Sequence, residues 1–206
     1  MPPFQWPSHP IDLIQHFEAK HEDPRAGALF LWAAWAVDSL HYLDDIDRAF
    51  DRSPDSAFGR SPDVVDVSHA RWATATCMTA LDLCAAALGR AFCGHTGTHE
   101  LDLGDFDPSS RPSNDKEARR AHLPEPACQW LDEVLADPDY RIVKAARDWL
   151  THSRLNRHFF LNVGGAPQRL SLEVMSVQLP VRHLVELCRD LSTRHVTSLL
   201  DRLPAF

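Results

Sequence analysis

Paired cysteine motifs, long apolar runs and glycine-rich phosphate loops are all missing from this sequence, and each absence removes a class of protein. The five cysteines, Cys77, Cys84, Cys93, Cys128 and Cys188, are odd in number and include no CxxC pair. That pattern supplies neither a disulfide framework nor zinc-finger spacing, so small free thiols in a reducing cytoplasm are expected. Cys77 and Cys84, seven apart, would share one helix face and point at the same neighbour. The longest unbroken apolar run, Ala26 to Val37, is 12 residues. A membrane helix needs about 20, so the run reads as a buried core helix. Met1-Pro2-Pro3-Phe4 lacks a basic stretch followed by an apolar one. Neither a secretory signal nor a membrane partner is expected, and the location reads as cytoplasmic. No GxSxG elbow and no internal repeat occurs, and no cofactor is implied.

What is present is an ordinary globular composition. The 206 residues are 44% apolar, which suffices for one good-sized core, so a single domain over 1–206 is expected. The net charge of -8 argues against a general nucleic-acid binder, but the charge is unevenly spread. Residues 140–206 carry a balance of +5 and residues 1–139 one of -13. The basic third either attracts a phosphate-bearing ligand or pairs with the acidic remainder of its own fold.

Periodicity and caps predict an all-α bundle of four to five main helices. Residues 1–10 hold four prolines and read as an extended arm, with a short helix over 11–19. Pro24 opens a helix running to about 50, with Leu29, Trp32, Ala33, Ala36, Leu40 and Leu43 on its apolar face. Ser61-Pro62-Asp63 starts the next, which buries Val64, Val67, Trp72, Met78, Leu81, Leu88 and Phe92 and ends at Gly94. Residues 94–123 show little periodicity and read as a long loop or insertion. Further helices are expected over 124–136 and 140–160, separated by Asp137-Pro138-Asp139. Alternation in Leu170–Val174 leaves room for a short strand near 169–175. The last helix runs from about 180 to 203, with Leu184, Cys188, Leu191 and Leu199 in its buried stripe.

One segment suggests a chemistry. In Arg147-Asp148-Trp149-Leu150-Thr151-His152-Ser153-Arg154, Asp148 and His152 stand four apart and so neighbour each other on one helix face. An acid beside an imidazole sets its tautomer and raises its pKa. Arg147, Thr151 and Arg154 lie on the adjoining face, and the planar fork of arginine suits phosphate. Histidine and arginine together suffice to cleave RNA without metal. The first shuttles the proton of the 2′-hydroxyl or of the leaving oxygen, and the second stabilises the phosphorane.

Arg147, a polar residue, three more and then His152 resembles the Arg-x4-6-His motif of the HEPN superfamily. The resemblance implies a small helical bundle, in many members a toxin or phage-defence RNase, that dimerises so that two motifs share a cleft. Other members only bind or scaffold. It implies Arg147, Asp148 and His152 as catalytic residues, with Thr151, Arg154 and Arg157 toward the RNA, and a homodimer. Residues five apart sit roughly 140° apart on an ideal helix, so Arg147 and His152 need a bent helix or a second subunit to act on one phosphate.

Two other clusters compete. Cys93, His95 and His99, with Glu100 and Asp102 close by, have the donor types of a transition-metal site, although their glycines and threonines suit a polar loop. Asp44, Asp45 and Asp47, with Asp38 and His41 upstream, have the carboxylates of a magnesium site or of a solvated helix end. The open alternatives to an RNase are therefore a non-catalytic helical interaction module and a bundle metalloprotein using His95 and His99.

Overall fold

The computed structural model describes residues 24–52, 62–94, 101–109, 114–152, 159–160, 171–175 and 177–202. It is an all-α fold with a small sheet. Helices α1 (Pro24–Arg52) and α2 (Pro62–Phe92) are followed by a 3-10 turn (Leu103–Asp105), then α3 (Asn114–Ala121), α4 (Glu125–Ala136) and α5 (Pro138–His152). Strands β1 (Phe159–Phe160), β2 (Ser171–Val174) and β3 (Val177–Pro180) precede α6 (Val181–Arg202). Among the described residues five helices are long and a sixth, α3, has eight residues, which meets the expected helical bundle; the arm and short helix expected over 1–19 lie outside the described residues.

Local chemistry explains the helix ends. Proline is the first residue of α1, α2 and α5, where its missing N–H costs nothing and its φ is already helical. Asp137 caps α5: its Oδ1 accepts from the N–H of Asp139 at 2.8 Å. Gly94 follows α2 with φ +58, the left-handed conformation that closes a helix.

Contacts group the chain into two compact units, one of residues 1–39, 79–135 and 194–206, the other of 40–78 and 136–193. In the first, Leu81, Leu88, Leu103, Phe106, Trp130, Leu131, Val134 and Leu199 are buried. Trp130 is 0% exposed and its Nε1 donates to the carbonyl of His195 at 2.8 Å, so the largest core side chain leaves no polar group unmet. In the second unit, Leu43, Ile46, Val67, Cys77, Val143, Leu150, Leu184, Cys188 and Leu191 are buried.

Three expectations need correction. Residues 94–123 are not simply a loop: among the described residues they hold the 3-10 turn and α3. Leu101, Leu103 and Phe106 are buried, and Asp102 and Asp105 form a reciprocal capping box. Asp82 of α2 accepts from the N–H of Leu103, and Arg119 of α3 pairs with Asp105 at 2.8 Å. Those anchors lie outside the segment's own period, so no local pattern announces them. The helix expected over 140–160 is described from Pro138 to His152 and does not include Phe159 and Phe160. Phe159 and Phe160 instead pair antiparallel with Leu172 and Ser171, a distant partner that overrides local helical preference. The strand near 169–175 is β2, and it pairs on its other side with β3. Finally, Trp72 is 58% exposed; the inward face of α2 is occupied by Ala70, Ala73, Cys77, Ala80 and Cys84.

By length and composition alone Asp66–Phe92 could cross a membrane: an 18-residue window within it has a mean hydropathy of 1.2, and 67% of that window is buried inside the protein. A search for unbroken apolar runs misses it because polar residues punctuate the helix.

Candidate functional site

Helix α5 belongs to the unit of residues 40–78 and 136–193 and lies against β2. Its apolar stripe, Tyr140, Val143, Ala146 and Leu150, is buried. The opposite positions are thereby turned outward: Arg147 and Asp148 are partly exposed and Thr151 is exposed. Helix periodicity alone makes this division.

Arg147 Nε lies 3.0 Å from Asp148 Oδ1, with side chains 37% and 49% exposed. Neighbouring residues on a helix cannot aim at each other squarely, and Arg147 Nε makes no directed hydrogen bond. The contact is therefore an ion pair, and a partly exposed one of small worth. His152 is the last residue of α5, and α5 is a single helix from Pro138 to that point. Arg147 and His152 thus lie on one continuous helix, where an ideal period sets residues five apart roughly 140° from each other. Arg154 and Arg157 lie outside the described residues, as do His95 and His99.

The structure adds an arginine that spacing does not reveal. Arg71, on α2, donates from Nε to the carbonyl of Leu150 at 3.1 Å. The carbonyls near the C-terminal end of a helix carry the negative end of its dipole, so a guanidinium is well suited there. This places a second cation at the end of the helix that carries Arg147 and His152. Arg71 lies 79 positions away in sequence, and no local signal in the chain marks it.

The acidic cluster is the expected solvated helix end at Asp44 and Asp45, and departs from it at Asp47. Asp44 and Asp45 are exposed, and Asp45 pairs with Arg48 at 2.6 Å. Asp47 is buried, with Arg182 Nη1 3.0 Å from its Oδ1 and Arg189 Nη1 donating to Oδ2. Two arginines on α6 thus fasten the end of α1, and the buried carboxylate is spent on them. Arg202 likewise grips both oxygens of Glu133, at 2.8 and 2.6 Å. These basic residues of the C-terminal third pair with the acidic remainder of the fold. Among the described residues, no group of three or more His, Cys, Asp or Glu side chains is arranged to hold a metal ion.

The thiols fall into distinct settings. Cys77 and Cys188 touch each other and are both 0% exposed, and burial drives the Cys188 thiol far above its ordinary range. Cys84, seven residues from Cys77, belongs to the other unit's core. Cys93 and Cys128 are half-buried.

Comparison with protein-family models, with curated proteins and with solved structures found no match to this chain.

Proposed function

We propose that this protein is a HEPN-like, metal-independent endoribonuclease of the toxin or phage-defence type, working as a homodimer through the exposed end of α5. The reading rests on one observation: Arg147, Asp148, Thr151 and His152 occupy the last two turns of a single helix whose end is fastened by a further arginine, Arg71. In this scheme His152 removes the proton of an RNA 2′-hydroxyl as its oxygen attacks the adjacent phosphorus. The 5′-oxygen leaves with a proton, and a 2′,3′-cyclic phosphate remains. Arg147 carries the charge of the phosphorane and Asp148 orients the site. Arg154 and Arg157 would hold the RNA. Because residues five apart on an ideal helix point roughly 140° away from each other, the arginine of one copy serves the histidine of the other.

The test is cleavage of single-stranded RNA in the presence of EDTA. His152→Ala and Arg147→Ala should each abolish it while leaving the thermal midpoint in place. Mixing the two inactive variants should return about a quarter of wild-type activity, since half the dimers are mixed and each carries one intact site. Cleavage that persists in His152→Ala, or that EDTA removes, would sink the reading.

A second reading, a non-catalytic interaction module, is favoured by the Asp148 carboxylate 3.0 Å from Arg147 Nε, which competes with phosphate for the guanidinium. It predicts no RNA cleavage under any condition and no loss of RNA binding in Arg147→Ala.

A further inference from the structure

Cys93 and Cys128 are 35 residues apart yet both bind the end of the same short helix, close enough for Cys128 to disfavour the Cys93 thiolate. Cys93 follows the last residue of α2, just before the left-handed Gly94. Cys128 sits in the first turns of α4. The Cys93 thiol donates to the carbonyl of Arg119 at 3.5 Å, and the Cys128 thiol to the carbonyl of Arg120 at 3.6 Å. Those carbonyls belong to consecutive residues of α3, so one helical turn holds both sulfurs. All these groups lie within the unit of residues 1–39, 79–135 and 194–206.

Access separates this pair from the other thiols. Cys77 and Cys188 also touch, but both are 0% exposed, and Cys84 is 1% exposed. A dissolved oxidant does not reach such sulfurs, and buried thiols of this kind are inert. Cys93 and Cys128 are only half-buried. Partial burial holds both thiols above their ordinary range; Arg119 beside the first and Arg120 beside the second favour the thiolate, while Cys128 opposes it at Cys93 and Asp132 and Glu125 oppose it at Cys128.

We propose that Cys93 and Cys128 are a disulfide-forming pair, oxidised by low-molecular-weight disulfides. One cysteine, as thiolate, attacks a sulfur of the small disulfide, forming a mixed disulfide and expelling one small thiolate. The second cysteine, as thiolate, attacks the protein sulfur of that mixed disulfide and expels the other. The protein loses two protons and two electrons; the small disulfide gains them and leaves as two thiols. The new bond closes residues 93–128 into a covalent loop. That loop contains the 3-10 turn with buried Leu101, Leu103 and Phe106, and all of α3. Closure restricts the unfolded chain, so the oxidised protein is the more stable form. Because the thiolate is the nucleophile and both thiols titrate high, closure accelerates as pH rises above neutral.

The experiment incubates the full chain with oxidised glutathione at alkaline pH, then counts free thiols and maps peptides without reduction. The expected result is loss of two of the five free thiols, one linked peptide joining Cys93 to Cys128, and no retained glutathione. The thermal midpoint should rise by several degrees and fall back on adding reductant. Cys93→Ser and Cys128→Ser should each retain one glutathione on the remaining partner and show no such rise. Five free thiols after incubation, a link between any other pair, or stable glutathione adducts on both Cys93 and Cys128 would overturn the proposal. The peptide map of the unmutated protein decides it whether or not either variant folds.

Discussion

Arg71 Nε donates to the carbonyl oxygen of Leu150 at 3.1 Å, tying the first half of α2 to the end of α5. The bond joins residues 79 apart in sequence and meets a carbonyl in the last described turn of its helix, near the negative end of the dipole. It also brings positive charge to the segment whose spacing suggests phosphate chemistry.

Arg71→Ala should therefore loosen the end of α5. A charge-assisted hydrogen bond at a part-exposed helix end is worth about 1 kcal/mol. Chemical denaturation should register a loss of that size, and hydrogen exchange should quicken at residues 150–152. If exchange there is unchanged, Arg71 does not hold the helix end. Under the RNase reading the same variant should also bind RNA more weakly.

Gly89 should resist replacement by alanine. Alanine is the better helix former by about 1 kcal/mol, which alone would stabilise α2. A Cβ at Gly89, however, would fall 2.7 Å from Leu101 Cδ1 and 3.2 Å from its Cβ. Leu101 is buried and has little room to retreat. Overpacking of this kind costs about 1–3 kcal/mol, so Gly89→Ala should lower the thermal midpoint. A rise would mean that residues around 101 are loosely docked on α2.

Met175 has φ +52 at the connection between β2 and β3, and its side chain is 63% exposed. Left-handed backbone costs a residue with a Cβ about 1–2 kcal/mol relative to its relaxed conformation, and no burial offsets it here. Tight hairpins favour asparagine or glycine at such positions. Met175→Gly or Met175→Asn should raise stability by about 0.5–1 kcal/mol in equilibrium denaturation. A loss would show that the methionine side chain contributes contacts to the fold.

Glu186 should make the protein sensitive to acid. Its carboxylate accepts a 2.8 Å hydrogen bond from Arg182, and that bond, more than the nearby charges, holds its pKa below the usual glutamate value. A carboxyl with a lowered folded pKa stabilises the fold above its unfolded pKa and loses that contribution as pH falls through the folded one. Stability should accordingly decline below the ordinary carboxylate range. Arg182→Ala should return Glu186 to its usual titration and flatten that part of the decline, as side-chain NMR and denaturation at several pH values would show. Arg182 also pairs with Asp47, so the variant should lose some stability at neutral pH as well.

Helix boundaries were legible because their causes are local. Pro24 and Pro62 open helices and Gly94 closes one, each through chemistry within a few residues; Asp137-Pro138-Asp139, expected as a break before 140, instead caps and opens that helix. The buried stripe of α6 was legible for the same reason: Leu184, Cys188, Leu191 and Leu199 follow the helical period and are all buried. Hydrophobicity misled at Trp72, because a core face lined with alanines and cysteines leaves the bulkier ring outside. At the candidate site, the spacing of Asp148, Thr151 and His152 could be read directly. The role of Arg71 could not, because a hydrogen bond across 79 residues leaves no trace in local pattern.

The chain alone settles the helical character, the placement of most helix ends, and the absence of CxxC pairs and of unbroken apolar runs long enough to span a membrane. These follow from dihedral preference, capping and period, which act over one or two turns. Tertiary structure alone decides that Leu101, Leu103 and Phe106 are core rather than loop, and that Phe159 and Phe160 join a sheet. It also decides that Asp47 is consumed by two arginines, and that five unpaired cysteines sort into a sealed pair, an accessible pair and one solitary core thiol. Each of these depends on which distant residues come to lie alongside, and that outcome is set by burial and charge pairing across the whole fold, beyond the reach of any sequence window.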